Sequence, residues 1–236
     1  MYPSGDLSSE RFPSFSSMDE WEKRPGTKLV TLMKLLQHLL SDDAVEPPTV
    51  IDGSIVYPSL PAGHSTSKTR KILVYYEYPM STSTVESVMK LYGVVPFIIN
   101  GAMKIKDRDN AVQRFIHSND PDRRVLLFSS VGAAGLNLAC ADTVILFVSR
   151  QTLPSFPLQF TLLKDTAWSQ QSVVQIIGRA HRYGQKRIVH VYRLLAVGTT
   201  DVIMASLAKD KDVMLQALVT KTKAISPSES NSQSRQ

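Results

Sequence analysis

Lys71-Ile-Leu-Val-Tyr-Tyr76 is a short, nearly unbroken run of apolar and aromatic residues. A strand wetted on one face alternates apolar with polar, so a continuous run predicts a strand buried on both faces. Arg124-Val-Leu-Leu-Phe128 and Thr143-Val-Ile-Leu-Phe-Val148 repeat the pattern. Val94-Val-Pro-Phe-Ile-Ile99 does so with Pro96 inside it, which lacks an N–H and belongs at an edge or a bulge. Ile188-Val-His-Val-Tyr-Arg-Leu-Leu195 alternates and is read as a last strand.

Helical patterns fall between these runs. Leu29 to Leu40 places apolar residues at 29, 32, 33, 36 and 40. Ser83 to Glu86 has the spacing of a capping box, followed by Val85, Val88, Met89 and Tyr92 at helical intervals. Asp107 to His117 turns Ala111, Val112, Phe115 and Ile116 inward. Gln170 to Arg182 can turn Val173, Val174, Ile176, Ile177 and Ala180 inward. Thr200 can cap a last helix carrying Val202, Ile203, Leu207, Met214 and Leu218. Strands alternating with helices predict an α/β fold: a parallel sheet with helices on both faces. In such sheets ligands bind beyond the C-terminal ends of the strands, and both the glycine-rich and the arginine-rich stretches are expected there.

The 236 residues are 43% hydrophobic and 20% charged, ordinary for a globular protein. A net charge of +6 is weak support for an anionic partner such as nucleic acid. The single cysteine, Cys140, excludes an internal disulfide framework and a cysteine-rich metal site, and fits a reducing compartment. The apolar runs are too short for a membrane span, and no membrane partner is expected. Residues 1–26, rich in Ser and Pro, read as an irregular arm; 41–69 as an exposed loop; 149–166 as an inserted loop; 220–236 as a disordered tail. The remainder of 27–219 is expected to form one lobe.

Two stretches carry chemistry. Ser129-Ser-Val-Gly-Ala-Ala-Gly-Leu-Asn-Leu138 follows a buried strand. Its glycines let the backbone turn sharply and approach a ligand, and Ser129, Ser130 and Asn137 offer hydroxyl and amide groups. Gln175-Ile-Ile-Gly-Arg-Ala-His-Arg-Tyr-Gly-Gln185 places Arg179 and Arg182 three apart, as neighbours if both are helical, with Gly184 to stop the element. Adjacent guanidiniums repel unless an anion lies near, and a phosphate matches their planar donor fork. Each stretch alone also fits a plainer reading, a tight turn and a solvated helix face. No G-x-x-x-x-G-K-[ST] cradle for phosphate occurs in the chain.

The order of these motifs resembles the C-terminal RecA-like lobe of superfamily 2 ATPases of the Swi/Snf type, over residues 28–219. Ile99-Asn-Gly-Ala102, Ser129 to Leu138, Ala141-Asp-Thr-Val-Ile145, Trp168, Gln175 to Gln185, Val191-Tyr-Arg-Leu-Leu195 and Gly198-Thr-Thr-Asp201 come in the family's order. The resemblance implies an ATP site, with magnesium, shared between two lobes and held mainly by the first. Arg179 and Arg182 would act as arginine fingers, and Gln175, Gly135 and Asn137 would lie at the nucleotide cleft. His181 would pack or hold hydrogen bonds rather than act as acid or base. Ser129, Ser130, Lys104 and Arg108 would meet the backbone of double-stranded DNA, by position only. No metal ligand is assigned to the chain.

The resemblance further implies a nuclear motor for chromatin remodelling or DNA repair. Departures from its pattern are Ala133 for a second glycine, Asn100-Gly101-Ala102 for Asp-Gly-Ser, Trp168-Ser-Gln for Trp-Asn-Pro, and a longer link over 149–165. The 236 residues contain no Walker lysine and no Asp-Glu-x-His box, so the first lobe is expected upstream in cis or in trans, and this chain alone is expected to be inactive. The alternative is a non-catalytic RecA-like module that binds DNA or a partner.

Overall fold

The computed structural model describes residues 14–52, 54–63, 67–76, 81–129, 135–147, 170–196, 201, 202 and 206. Its centre is a five-stranded parallel sheet. In chain order the strands are β3 (Ile72–Tyr76), β4 (Phe97–Ile99), β5 (Val125–Phe128), β6 (Thr143–Phe147) and β7 (His190–Leu194), following a separate hairpin of β1 (Thr49–Ile51) and β2 (Ser54–Val56). The spatial order is β4-β5-β3-β6-β7. β3 lies centrally, with Val74 opposite Leu127 on one side and Ile145 on the other. All of β3, β5 and β6 is buried, as their unbroken apolar runs require. β4, the strand after Pro96, sits at the sheet edge.

Alternation along each strand feeds two cores. Ile72, Val74, Tyr76, Val125, Leu127, Ile145 and Phe147 meet α1 (Met18–Glu22), α2 (Thr27–Ser41) and α3 (Thr82–Leu91). Leu73, Tyr75, Leu126, Phe128, Val144 and Leu146 meet α4 (Ile105–His117) and α5 (Gln170–Ala180). Fully burying one such side chain stabilises the fold by roughly 1.5–3 kcal/mol. α3 ends in a Schellman turn: Val94 N–H donates to the Met89 carbonyl and Gly93 N–H to that of Lys90. Gly93 supplies the required φ of +76°.

The structure departs from the sequence reading at several points. The arm carries α1, whose Trp21 is only 2% exposed and donates Nε1–H to the Tyr92 hydroxyl at 3.3 Å. The segment 41–69 holds the β1–β2 hairpin and the buried residues Asp42 and Val45. α3 is preceded by Ser81 as N-cap rather than Ser83, because four consecutive hydroxyl residues compete for that place. α5 stops at Ala180, and Val174 on it is 58% exposed. The expected link at 149–166, Thr200 and the tail lie outside the described residues, as does most of the last helix.

At the N-terminal edge of the sheet, Asp43 ties the lead-in to β3 back to the end of α2. Its carboxylate accepts from Ser67 Oγ, Thr69 N and Arg70 N at 3.1, 2.7 and 2.8 Å, and from the Thr69 hydroxyl. Burial opposes its ionisation, but the Thr69, Arg70 and Ser67 donors outweigh it and hold the pKa below the ordinary value. A depressed pKa contributes stability that is present above the unfolded value and lost as pH falls through the folded one. Asp43→Asn should therefore cost on the order of 1 kcal/mol at pH 7. In urea unfolding followed from pH 7 downward, the gap to wild type should close below the ordinary aspartate range.

Candidate functional site

A helix between two parallel strands runs opposite to both, so the C-terminal end of α5 must return to the N-terminal edge of the sheet. It does: the Leu138 N–H donates to the Arg179 carbonyl at 2.9 Å, five residues ahead of where β6 begins. This corrects the expectation that the arginine stretch lies beyond the C-terminal ends of the strands. Only the start of the glycine-containing stretch does. From Ser129 it passes to Gly135 and then to Leu138, beside the last turn of α5. Gly135 has φ of +79°, which an L side chain rarely tolerates.

The residues singled out from sequence thus divide into two groups. Gly135, Asn137, Gln175, Arg179 and Arg182 belong to α5 and the segment bonded to its end. Within it, Leu136 and Leu138 are buried and anchor the backbone, leaving Gly135 and Asn137 exposed. Asn137 Oδ1 accepts the Ala139 N–H at 3.3 Å. On α5, Val173, Ile176 and Ala180 are buried, which leaves Gln175 exposed and Arg179 half-buried one turn apart. Arg182 lies beyond the helix. Its Nε donates to the Gly178 carbonyl at 3.1 Å, covering an acceptor that the helix end leaves open.

Two further properties of this group bear on a phosphate. The terminal nitrogens of Arg182 and the Arg179 guanidinium have no carboxylate or hydrogen-bond partner among the described residues. They therefore fit an anion brought from outside. His181 is exposed, and its backbone N–H continues the helix to the Ile177 carbonyl. No group of three or more His, Cys, Asp or Glu that could hold a metal exists among the described residues, so a magnesium ion finds no ligand set in them.

The second group lies at the opposite edge, roughly 17 Å away along a five-residue strand. Ser129 directly follows β5, and its N–H donates to the Ile99 carbonyl at 3.3 Å. The hydroxyl is fully buried, makes no hydrogen bond of ordinary geometry among the described residues, and lies near the Tyr76 hydroxyl. Lys104 is the N-cap of α4, exposed, and Arg108 lies in that helix's first turn with an unpartnered buried Nε. Ser130 lies outside the described residues, as do Gly132, Ala133 and Trp168. Sequence reasoning missed Tyr76, which ends β3 level with Ser129 and has a buried hydroxyl with no hydrogen bond of ordinary geometry among the described residues. Burial raises its pKa, with the nearby Thr82 and Ser129 hydroxyls acting in the other direction. Its place at the C-terminal end of a central strand was the available signal.

Comparison with known proteins gives the following. Residues 55–184 match the family described as helicase conserved C-terminal domain. The TATA-binding protein-associated factor mot1 of Aspergillus fumigatus is 30% identical over 196 residues, 81% of this chain and 9% of that protein. The chromatin-remodeling ATPase INO80 of Saccharomyces cerevisiae is 29% identical over 154 residues, 65% of this chain and 9% of its own. Chromodomain-helicase-DNA-binding protein 1 of Homo sapiens is 30% identical over 145 residues, 61% and 7%. The chain spans less than a tenth of the length of these relatives. The crystal structure of the C-terminal part of the Fun30 ATPase domain superposes with a TM-score of 0.56 at 22% identity, over 81% of this chain and 48% of that one. That likeness shows the fold, a RecA-like lobe.

A buried hydroxyl without a partner is costly, whereas most substitutions of buried residues destabilise by about 1 kcal/mol. Ser129→Ala should therefore leave the melting temperature unchanged or raise it. A loss of more than about 1 kcal/mol would show that the hydroxyl is satisfied in the free protein.

Proposed function

Because the chain belongs to the helicase conserved C-terminal domain family, in its Swi/Snf-type form, we propose that it is the second lobe of an ATP-driven motor on double-stranded DNA. The observation that carries this is two guanidiniums, Arg179 at the end of α5 and Arg182 just beyond it, neither with a carboxylate partner among the described residues. Two cations without a carboxylate partner among the described residues, at one end of a helix, are suited to meet negative charge that another element delivers.

ATP, when bound, supplies the phosphoryl bond whose hydrolysis drives movement, and its phosphates and magnesium are held by the first lobe. Arg179 and Arg182 place positive charge where the transferring phosphoryl group gains negative charge, which favours the transition state over the ground state. The Arg182 Nε–Gly178 bond leaves the two terminal nitrogens of that guanidinium for phosphate oxygens. Gln175, one turn before Arg179, faces the same cleft, and Gly135 and Asn137 line it from the adjacent segment. Ser129, Lys104 and Arg108 meet DNA phosphates at the other edge of the sheet. The buried Arg108 Nε supports this, as a donor with no hydrogen-bond partner among the described residues. The relatives' names, a chromatin-remodeling ATPase and a chromodomain-helicase-DNA-binding protein, support a nuclear role in chromatin remodelling.

Joined to a lobe carrying the Walker motifs, Arg182→Ala and Arg179→Ala should each lower kcat for ATP by about 10³-fold with little change in DNA affinity. Arg182→Lys should rescue poorly, since an ammonium cannot serve phosphate and the Gly178 carbonyl together. Wild-type turnover by Arg182→Ala would contradict the proposal, as would robust ATP hydrolysis by the 236-residue chain alone. DNA affinity should fall steeply as salt rises, because phosphate contacts release counterions.

A further inference from the structure

We infer that Gln185, held by the Ala141 carbonyl, and Arg187, held by the buried carboxylate of Asp142, are positioning residues for Arg182; this rests on the proposed role of that arginine. α5 ends at Ala180, so Arg182 is not fixed by the regular hydrogen bonds of a helix. Residues 181–184 are all exposed and contribute no side chain to either core. Their own backbone closes only a loose turn, Arg182 N–H to the Ala180 carbonyl and Gln185 N–H to that of Arg182, both at 3.0 Å, with Gly184 at φ +98°. A turn with so little burial opens readily unless something beyond it is anchored.

The anchor begins one residue later. Gln185 Nε2 donates to the Ala141 carbonyl at 2.7 Å, and its Oε1 accepts the Arg187 N–H at 2.9 Å. Both ends of one amide are used, which ties the turn to the strand lead-in and fixes the next two residues. Arg187 then donates to Asp142 Oδ2 at 3.1 Å and to Thr69 Oγ1 at 3.2 Å. Asp142 is 6% exposed and is a hub. Its Oδ1 accepts from Thr143 Oγ1 at 3.1 Å and lies 3.9 Å from Arg70 Nε, and its carbonyl accepts the His190 N–H at 2.9 Å. The leads into β3, β6 and β7 therefore meet at the carboxylate that holds Arg187.

The chemistry at 185 is demanding. A carboxylate there cannot donate to the Ala141 carbonyl and would set negative charge against it. Gln185→Glu thus keeps the shape and removes the tether. Arg187→Met keeps the apolar stem and frees Asp142, while Arg187→Lys keeps the charge and loses the bridge to Thr69.

Amide hydrogen exchange on the intact chain reads the tether directly. Gln185→Glu and Arg187→Met should speed exchange over residues 181–187 by about 10-fold while amides of β3 and β6 stay protected. Arg187→Lys should fall between them and wild type. In the two-lobe ATPase the first two variants should lower kcat by about 10- to 100-fold, as a small misplacement of a catalytic group does, with KM for ATP unchanged. If Gln185→Glu also exposes the strand amides, the Arg187→Met and Arg187→Lys pair is read on the same measurements. Unchanged exchange at 181–187, or wild-type kcat in these variants while Arg182→Ala is impaired, overturns the inference alone. Wild-type kcat in Arg182→Ala overturns the functional reading, and this inference with it.

Discussion

A helix that joins two parallel strands must run against them, and the placement of this lobe's functional residues depends on that constraint. α5 leaves the C-terminal side of β6 and delivers Arg179 and Arg182 to the N-terminal edge, where β7 begins beside Thr143. The turns after β4 and β5 stay at the opposite edge with Ser129, Lys104 and Arg108. One short sheet thus separates Arg179 and Arg182, which have no carboxylate partner among the described residues, from Ser129, Lys104 and Arg108 by roughly the length of a strand. In the proposed motor that separation lets the sheet act as a rigid bar between a nucleotide end and a DNA end.

Buried charge orders the N-terminal edge of the sheet. Asp42, Arg70, Arg124 and Asp142 are each less than a tenth exposed, and they lie at the N-terminal edge of the sheet. Removing such charges from water is costly, and backbone carbonyls and opposite charges offset part of it, with Arg70 Nε and Arg124 Nη1 left without a hydrogen-bond partner among the described residues. Arg70 reaches the Leu39 and Asp43 carbonyls, and Arg124 the Pro121 and Leu40 carbonyls. These bonds join the end of α2 to the starts of β3 and β5. The arginine turn is bonded to the same layer through Asp142, so its position is inherited from the most over-determined part of the fold.

Much of this was legible in the sequence, for physical reasons. Ile72–Tyr76, Val125–Phe128 and Thr143–Phe147 are buried on both faces, and only unbroken apolar runs satisfy that, so the central strands could be read directly. Pro96 marked the edge because a missing N–H cannot be tolerated inside a sheet. Three-residue strands among prolines left no such pattern, so β1 and β2 were read as loop. Trp21 is buried by Phe15 and Tyr92, a long-range contact that local composition cannot report. Val174 was read as inward because five apolar residues on α5 make too wide a stripe; 173, 176 and 180 are buried in the core and 177 packs against it. The residue types of the site were visible, whereas the edge on which they sit follows from the direction of the connection. The anchoring by Gln185 and Arg187 required coordinates, since Ala141 and Asp142 are distant in sequence.

The most direct test compares two ligands on one pair of proteins. A two-lobe ATPase built on this chain, wild type and Arg182→Ala, is titrated with a non-hydrolysable ATP analogue and with ADP plus aluminium fluoride, a mimic of the transferring phosphoryl group. Arginines that act in the transition state should leave the first affinity nearly unchanged and weaken the second by a large factor. Equal loss of both affinities, or loss of neither, would contradict the assignment of Arg182 to the phosphoryl group.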